Sequence, residues 1–471
     1  IILMHTGKIY YQNLFQARVI MAMGSEFLKV LHIAPHIGGG IGKAVVGLSL
    51  LGKKDGIQSA VVLLEQPQKT GIVKEAASQG IPVYIEPEKD VLTELIRHSD
   101  IVVVNWWNHP LMYQFLCELN EECRLVIWCH VNGCVYPYFD SGFLLEFEHI
   151  FFTTPYSKEN MLWSSEHKRQ ILEKSSVLYG FGSFRPENIA CKKNWGEQNI
   201  LKIGYAGTLS YSKMSPEYIA YCEAVCEACP YAEIHLAGDA DERILWDVSH
   251  SKYKENLFFD GYITDIQSWY HDMDIFLYLL NPLHYGTTEN VILEAMACGL
   301  PVIAFAHKAE QMIIGTDGAG IFIKNKEELV KAVSCLCNPQ KRKIHGLKAR
   351  ESVCTEYSCE SSYRGYSDII RNIARRSKRI GYFSKILAGG GKNACQWFLM
   401  SAGPDKKVFE KYLSSHDAIP VIDLIKRKYI YSESGKSSLI QFHEYYPDDE
   451  KLGELYILAD EFRQKGGEYL S

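Results

Sequence analysis

His284-Tyr285-Gly286-Thr287-Thr288-Glu289-Asn290-Val291-Ile292-Leu293-Glu294-Ala295-Met296-Ala297-Cys298-Gly299-Leu300-Pro301-Val302-Ile303-Ala304-Phe305 encodes a loop, a helix start, a helix stop and a buried strand in one segment. Thr287 or Thr288 is placed to act as N-cap, and Val291, Ile292, Ala295 and Met296 recur at helical spacing. Gly299 closes the helix and Pro301 prevents its continuation. A helix N-terminus preceded by small residues offers free N–H donors and the positive end of a dipole, which together suit a phosphate.

The same alternation of strand and helix extends through most of the chain. Val30-Leu31-His32-Ile33-Ala34 reads as a strand, Gly38 to Gly42 as a loop and Ala44 to Leu51 as a helix. Further apolar runs follow at Ala60 to Leu64, Val83 to Ile85, Ile101 to Val104, Leu125 to Trp128 and His149 to Phe152. A second series begins with Ile203-Gly204-Tyr205-Ala206 and continues through Ala232 to Gly238, Leu257 to Tyr262, Ile275 to Tyr278, Val302 to Phe305 and Gly320 to Ile323. Unbroken apolar strands separated by helices describe parallel sheets covered on both faces. Two such sheets in tandem leave a cleft between their strand carboxyl ends, where open α/β sheets bind ligands.

The segment around Glu294 resembles the donor-nucleotide motif of the GT-B glycosyltransferase superfamily, especially its retaining family-4-like members, the glycosyl transferases of group 1. The resemblance covers about residues 29 to 375. It implies an α/β fold of GT-B architecture: two Rossmann-like doubly wound domains with a cleft between them, here with a C-terminal appendage. The corresponding boundaries are residues 29–182 for an acceptor domain, 183–358 for a nucleotide-sugar domain, 359–380 for a crossing helix and 381–471 for an extension whose role the sequence does not disclose. In the family one glutamate contacts the donor sugar, and a second, with seven residues between the two, contacts the ribose. Glu294 with Ala295 to Val302 matches the second. Gly286 stands where the first belongs, and Glu289 is the nearby carboxylate. Glu289 would face the donor sugar or Lys213 in an active enzyme, and bulk solvent if it merely favours the helix dipole.

The resemblance assigns further residues. Gly39, Gly40 and Ile41, in the loop Gly38-Gly39-Gly40-Ile41-Gly42-Lys43, would approach donor phosphate. Walker A and G-x-G-x-x-G readings of this loop both fail, since Ala44 and Lys43 stand where each motif needs another residue. Gly207 and Thr208 enter the second domain ahead of Lys213, the lysine of the family's cation clamp, with Thr208 where an arginine is usual. Tyr262 and Ile263 would receive the base. Thr287, Thr288, Glu289 and Asn290 would hold the diphosphate, and Glu294 the ribose. His130 after the fifth strand would sit at the donor sugar, so His130, Lys213 and Glu289 are the catalytic candidates. Asn105, Trp106 and His109 would shape the acceptor pocket. No aspartate-x-aspartate metal box appears in a suitable loop, and the family generally needs neither metal nor cofactor. The partners implied are a nucleotide diphosphate sugar, with a UDP-sugar first, and a sugar, lipid-linked or protein acceptor. A glycosyltransferase-like, non-catalytic or partner-binding subunit is the alternative, favoured by Gly286 and Thr208.

Composition agrees with a soluble protein of two or three domains: 471 residues, 47% hydrophobic, 23% charged. A net charge of −6 gives no sign of a nucleic-acid partner. No apolar run reaches the roughly 18 to 20 residues that span a bilayer. Fourteen scattered cysteines read as buried thiols of a reducing, cytoplasmic setting. Cys222, Cys226 and Cys229 have the spacing of an iron–sulfur motif, but with Ile219 they also share one helical face as core residues. From Arg371 through Arg375, Arg376, Lys378, Arg379 and Lys385 the chain is basic with interspersed apolar residues. That suits either peripheral contact with the inner membrane face or a helix crossing back onto the first domain. Residues 1–28 read as a leader, with Met23-Gly24-Ser25-Glu26-Phe27 resembling a cloning scar. A cleavable secretion signal is the alternative, but the stretch lacks an apolar core.

Overall fold

The structure, a computed structural model, describes residues 27–195, 200–286, 288–315, 317–387, 393–432 and 435–464. The first sheet contains β1 (Leu28–Ala34), β2 (Ile57–Leu63), β3 (Val83–Ile85), β4 (Ile101–Trp106), β5 (Leu125–Cys129), β6 (His149–Phe152) and β7 (Ser175–Val177), in the order β3-β2-β1-β4-β5-β6-β7. The second contains β8 (Leu201–Ala206), β9 (Ala232–Ala237), β10 (Leu257–Gly261), β11 (Ile275–Tyr278), β12 (Val302–Phe305) and β13 (Gly320–Ile323), in the order β10-β9-β8-β11-β12-β13. Neighbouring strands pair in parallel throughout both sheets. β4, β5, β11 and β12 are buried along their whole length, which is why their sequences, Asn105 in β4 apart, are apolar and do not alternate.

Strand order reverses beside β1 and beside β8, so the loops that follow these strands open into a crevice. The two crevices face each other. Asn132, after β5, donates its backbone N–H to the Tyr285 carbonyl and its side-chain amide to the Gly286 carbonyl, each at 3.0 Å. Lys69 reaches across to Asp239 at 3.8 Å.

Several expectations change in detail. The helix expected from Ala44 to Leu51 spans Gly39–Lys54, because Gly39 at φ 59 turns the chain into the helix at once. Of the expected leader, residues 1–26 lie outside the described residues; Leu28 already opens β1, its N–H bonded to the Gly56 carbonyl at 3.0 Å. β7 went unrecognised because it is three residues long and half polar.

The basic stretch is no continuous amphipathic helix. Helix Cys359–Ala374 ends before most of it, burying Tyr366, Ile370 and Ile373 in the first domain's core. Its charges are used there: Arg371 pairs with Asp55 at 3.2 Å, Arg376 with Glu148 at 3.0 Å and Arg379 with Glu148 at 2.5 Å, while Lys378 donates to the Arg97 carbonyl at 2.6 Å. The structure therefore favours the crossing connection. Nor is the C-terminal extension a separate appendage. Its helices bury Trp397, Phe398, Phe409, Leu424, Phe442 and Leu455 in the core of the first domain, with the Trp397 and Tyr113 rings stacked 5.5 Å apart. No described helix is long and apolar enough to cross a membrane.

Candidate active site

The site begins where two helices point their N-termini into the cleft. Helix Gly39–Lys54 has no side-chain cap and no acidic residue in its first turn, so its amides remain available. Thr288, one of the two threonines expected to cap helix Asn290–Ala297, does not cap it. Thr287 lies outside the described residues, and Thr288 is bound to the first domain, donating to the Thr153 carbonyl at 2.8 Å and accepting from the Gly180 N–H at 3.0 Å. The N-cap is Glu289, in the left-handed region at φ 45 and ψ 68 without a side-chain capping bond. That conformation is costly for a residue with a Cβ and persists only where surrounding contacts fix it.

Tyr278 and Lys213 supply those contacts. The Tyr278 hydroxyl, at the end of β11, donates to Glu289 Oε2 at 2.6 Å, and Lys213 Nζ lies 3.2 Å from the same oxygen. Lys213 is itself fixed, since its carbonyl accepts from the Asn281 N–H at 2.8 Å. Only 9% of the Glu289 side chain is exposed. Burial, the largest single effect, would raise its carboxyl, but Lys213, His284 and the Tyr278 hydroxyl together outweigh it and hold the carboxyl at about 2. His284 Nδ1 stands 3.7 Å from Glu289 Oε1, yet this is no ion pair: Nδ1 accepts from the Gly286 N–H at 3.0 Å, and burial keeps the ring's pKa near 4.

Gly286 now has a physical reason. A Cβ there would lie 1.9 Å from Glu289 Oε1 and 2.3 Å from His284 Cε1. The Glu289 carboxylate occupies the space in which a side chain at position 286 would begin.

Gly40, Ile41, His130, Gly180, Lys213, Thr288, Glu289, Asn290 and Val291 enclose a cavity of about 260 Å³. The structure thus brings seven of the candidates into one site. His130 Nε2 is hydrogen-bonded to Asn105 Oδ1 at 3.1 Å; the Asn105 amide donates to the Ile33 carbonyl at 3.3 Å, so the ring donates through Nε2 and leaves Nδ1 unprotonated. Burial lowers the His130 pKa to about 3, making it a neutral group at pH 7.

Asn290 also borders a second cavity of about 280 Å³, which contains Glu294 and Lys43 and lies between the two helices. Burial raises the Glu294 carboxyl, Lys43 opposes this, and the Tyr270 hydroxyl donates to Glu294 Oε2 at 3.4 Å.

Other candidates fall elsewhere. Asn105 and Trp106 are core residues and present no acceptor surface: Asn105 is fully buried beneath His130, and Trp106 packs between Tyr113 and Phe143. His109 is 1% exposed and accepts the Leu111 N–H through Nδ1 at 3.3 Å. Gly39, Gly207 and Thr208 do not border either cavity; Thr208 is exposed, and its carbonyl accepts from Tyr205 at 3.1 Å. Tyr262 is 75% exposed under Lys69, and Ile263 packs against the second core. Cys222 and Cys226 are buried in helix Tyr218–Ala228, which Cys229 ends. Burial raises the Cys226 thiol to about 11, opposite to the thiolate a cluster requires. Among the described residues no three His, Cys, Asp or Glu side chains gather as metal ligands. Sequence reasoning missed Tyr278, whose only signal was its place at a strand's carboxyl end, and His284.

Residues 201–338 match the family model of the glycosyl transferases group 1. No curated protein matches the sequence. Among solved structures, Anabaena HepE in complex with UDP and glucose superposes with a TM-score of 0.58 at 15% identity, covering 73% of this chain and 99% of that one. A Rickettsia africae glycosyltransferase gives 0.57 at 16% identity over 74% and 100% of the two chains. The pneumococcal O-GlcNAc transferase GtfA, solved with UDP and GlcNAc, gives 0.55 at 10% over 75% and 100%. The chain has the GT-B fold, and the match to the glycosyl transferases group 1 model falls on the residues of its second sheet.

Proposed function

We propose that this chain moves a sugar from a nucleotide diphosphate donor to an acceptor hydroxyl, with retention at the anomeric carbon and without a bound metal ion. The observation that carries the reading is the buried Glu289–Lys213 pair set between two helix N-termini that face one cleft. Lys213 and the amides that open helix Asn290–Ala297 would meet the charge of the departing diphosphate. Glu289, ionised and held at the space a side chain on Gly286 would need, supplies the carboxylate for an oxocarbenium-like sugar. Neutral His130 offers Nδ1 to a sugar hydroxyl, and Glu294 in the adjoining cavity accepts from the ribose. By the family resemblance, the acceptor hydroxyl would attack on the face the diphosphate leaves.

HepE and GtfA, both solved with UDP, make UDP-sugars the first donors to test. Free, mostly buried thiols favour a cytoplasmic setting, and assembly of a polysaccharide or glycoconjugate is the corresponding role. A panel of nucleotide sugars is tested by thermal shift and by slow donor hydrolysis, with Glu294→Ala and Lys213→Ala alongside. One donor should stabilise the protein, by about 2.7 kcal/mol at 100 times its Kd, and both variants should lose binding or turnover. Variants that behave as the parent overturn the site. A second reading, a partner-binding subunit without catalysis, is favoured by Lys213 being already neutralised by Glu289 and by the Thr288 hydroxyl being engaged. A panel with neither shift nor hydrolysis selects it.

A further inference from the structure

The C-terminal helices bring a cation to the first-domain side of the cleft. Lys436 precedes helix Leu439–Tyr445, and its Nζ lies 5.6 Å from the centroid of the Trp107 ring. The Trp107 ring is in turn 6.4 Å from that of His130, which borders the Lys213–Glu289 cavity.

The neighbouring backbone fixes this placement. Ser437 adopts φ 68, a left-handed conformation unusual for a residue with a Cβ. Three hydrogen bonds hold it: its N–H donates to Gln441 Oε1 at 2.7 Å, its hydroxyl donates to the Trp107 carbonyl at 2.9 Å, and the Tyr136 hydroxyl donates to its carbonyl. Strain that is so fully determined by its surroundings is characteristic of functional positions.

Lys436 has no hydrogen-bond or ion-pair partner among the described residues. It is an exposed residue whose ammonium is nevertheless crowded by protein, which lowers its pKa, while Glu65 acts against that shift. Glu65 has other company, receiving the Tyr445 hydroxyl and facing His36 at 3.8 Å and His109 at 3.5 Å. Burial lowers the pKa of His36 to about 4 and of His109 to about 3, so neither is a cation at pH 7. The buried Trp107 Nε1, Asn108 Nδ2 and His109 Nε2 at the same end of the sheet have no hydrogen-bond partner in the structure.

We infer that Lys436 receives an anionic group, a phosphate or carboxylate, carried by the acceptor sugar, and that the C-terminal extension thereby sets acceptor specificity. The inference rests on the transferase reading. It assigns the cation to the acceptor because Lys436 stands with the residues that follow β1, β4 and β5. The loop of Lys213 and helix Asn290–Ala297, where a donor diphosphate would sit, belong to the other domain.

The test uses the full chain with UDP present and, as probes, glucose, glucose 6-phosphate and glucuronate, measured by calorimetry. At least one anionic sugar should bind about tenfold more tightly than glucose. Lys436→Met should bring that sugar to the level of glucose, Lys436→Arg should retain most of the preference, and UDP affinity should stay within about twofold. Equal binding of glucose and both anionic sugars by the parent overturns the inference. So does a loss of UDP affinity in Lys436→Met, which would assign the lysine to the donor. If UDP does not bind at all while the anionic preference still depends on Lys436, the transferase reading fails and the anion site stands.

Discussion

Replacing Glu289 by glutamine removes a charge while keeping the shape that fills the space beside Gly286. The carboxyl is held at about 2 in the fold against an ordinary 4.5, a depression of about 2.5 units. At roughly 1.4 kcal/mol per unit, the ionised group contributes about 3 kcal/mol to stability. Because the folded pKa is the lower one, this contribution is complete above pH 4.5 and is lost as pH falls towards 2. By pH 3 roughly half of it or less remains. For a domain of this size about 1 kcal/mol moves Tm by 2–4 °C, so Glu289→Gln should melt about 6–12 °C lower at pH 7. Scanning calorimetry of parent and variant from pH 7 to pH 3 checks this, and the two curves should converge on the acid side. A Tm difference that stays constant down to pH 3 would show that packing, and not the Lys213 pair, accounts for the loss. No difference at pH 7 would refute the reasoning outright.

Lys213→Met should leave Glu289 buried without its cation and reduce donor turnover by about a hundredfold or more, measured as donor hydrolysis. Gly286→Ala places a Cβ 1.9 Å from Glu289 Oε1 and should destabilise by about 1–3 kcal/mol in denaturant titration, with part of the loss recovered in the Glu289→Ala background. Trp397→Ala should cost about 3–5 kcal/mol and open the C-terminal helices to limited proteolysis, because this ring stacks on Tyr113 in the first domain's core.

The alternation of apolar strands and helices was legible because parallel strands buried on both faces have little choice of residue. Lys213 and Glu294 were proposed from resemblance and Glu289 only as the carboxylate nearest Gly286, where spacing puts the first glutamate; the fold sets Lys213 and Glu289 3.2 Å apart. Thr288 was misread because local capping chemistry predicts a side chain bonded to its own helix, whereas Thr153 and Gly180, far away in sequence, claim this one. Asn105 and Trp106 misled for a related reason. A strand's carboxyl end faces the cleft, but side chains on it alternate and can still point into the core. Lys436 gave no signal at all, because its meaning depends on the C-terminal helices folding back over β4.

The left-handed residues Glu289, Asn108 and Ser437 connect these observations. Each follows or precedes a regular element at the cleft, and each is locked from outside its own segment or by an aromatic hydroxyl: Glu289 by Lys213 and Tyr278, Asn108 by the Tyr113 hydroxyl at 2.5 Å, Ser437 by Trp107 and Tyr136. Strain at such points persists only while the surrounding contacts exceed it. On the donor side Lys213 is already paired with Glu289, Lys43 acts on Glu294, and the helix amides carry no charge of their own. The acceptor side offers Lys436, a cation without a hydrogen-bond or ion-pair partner among the described residues. A diphosphate entering this cleft must therefore share Lys213 with Glu289, and its affinity should depend on the helix N-termini more than on net positive charge. UDP binding should then weaken only modestly with added salt, whereas binding of an anionic sugar at Lys436 should weaken more, because it pairs two full charges and helix amides carry none.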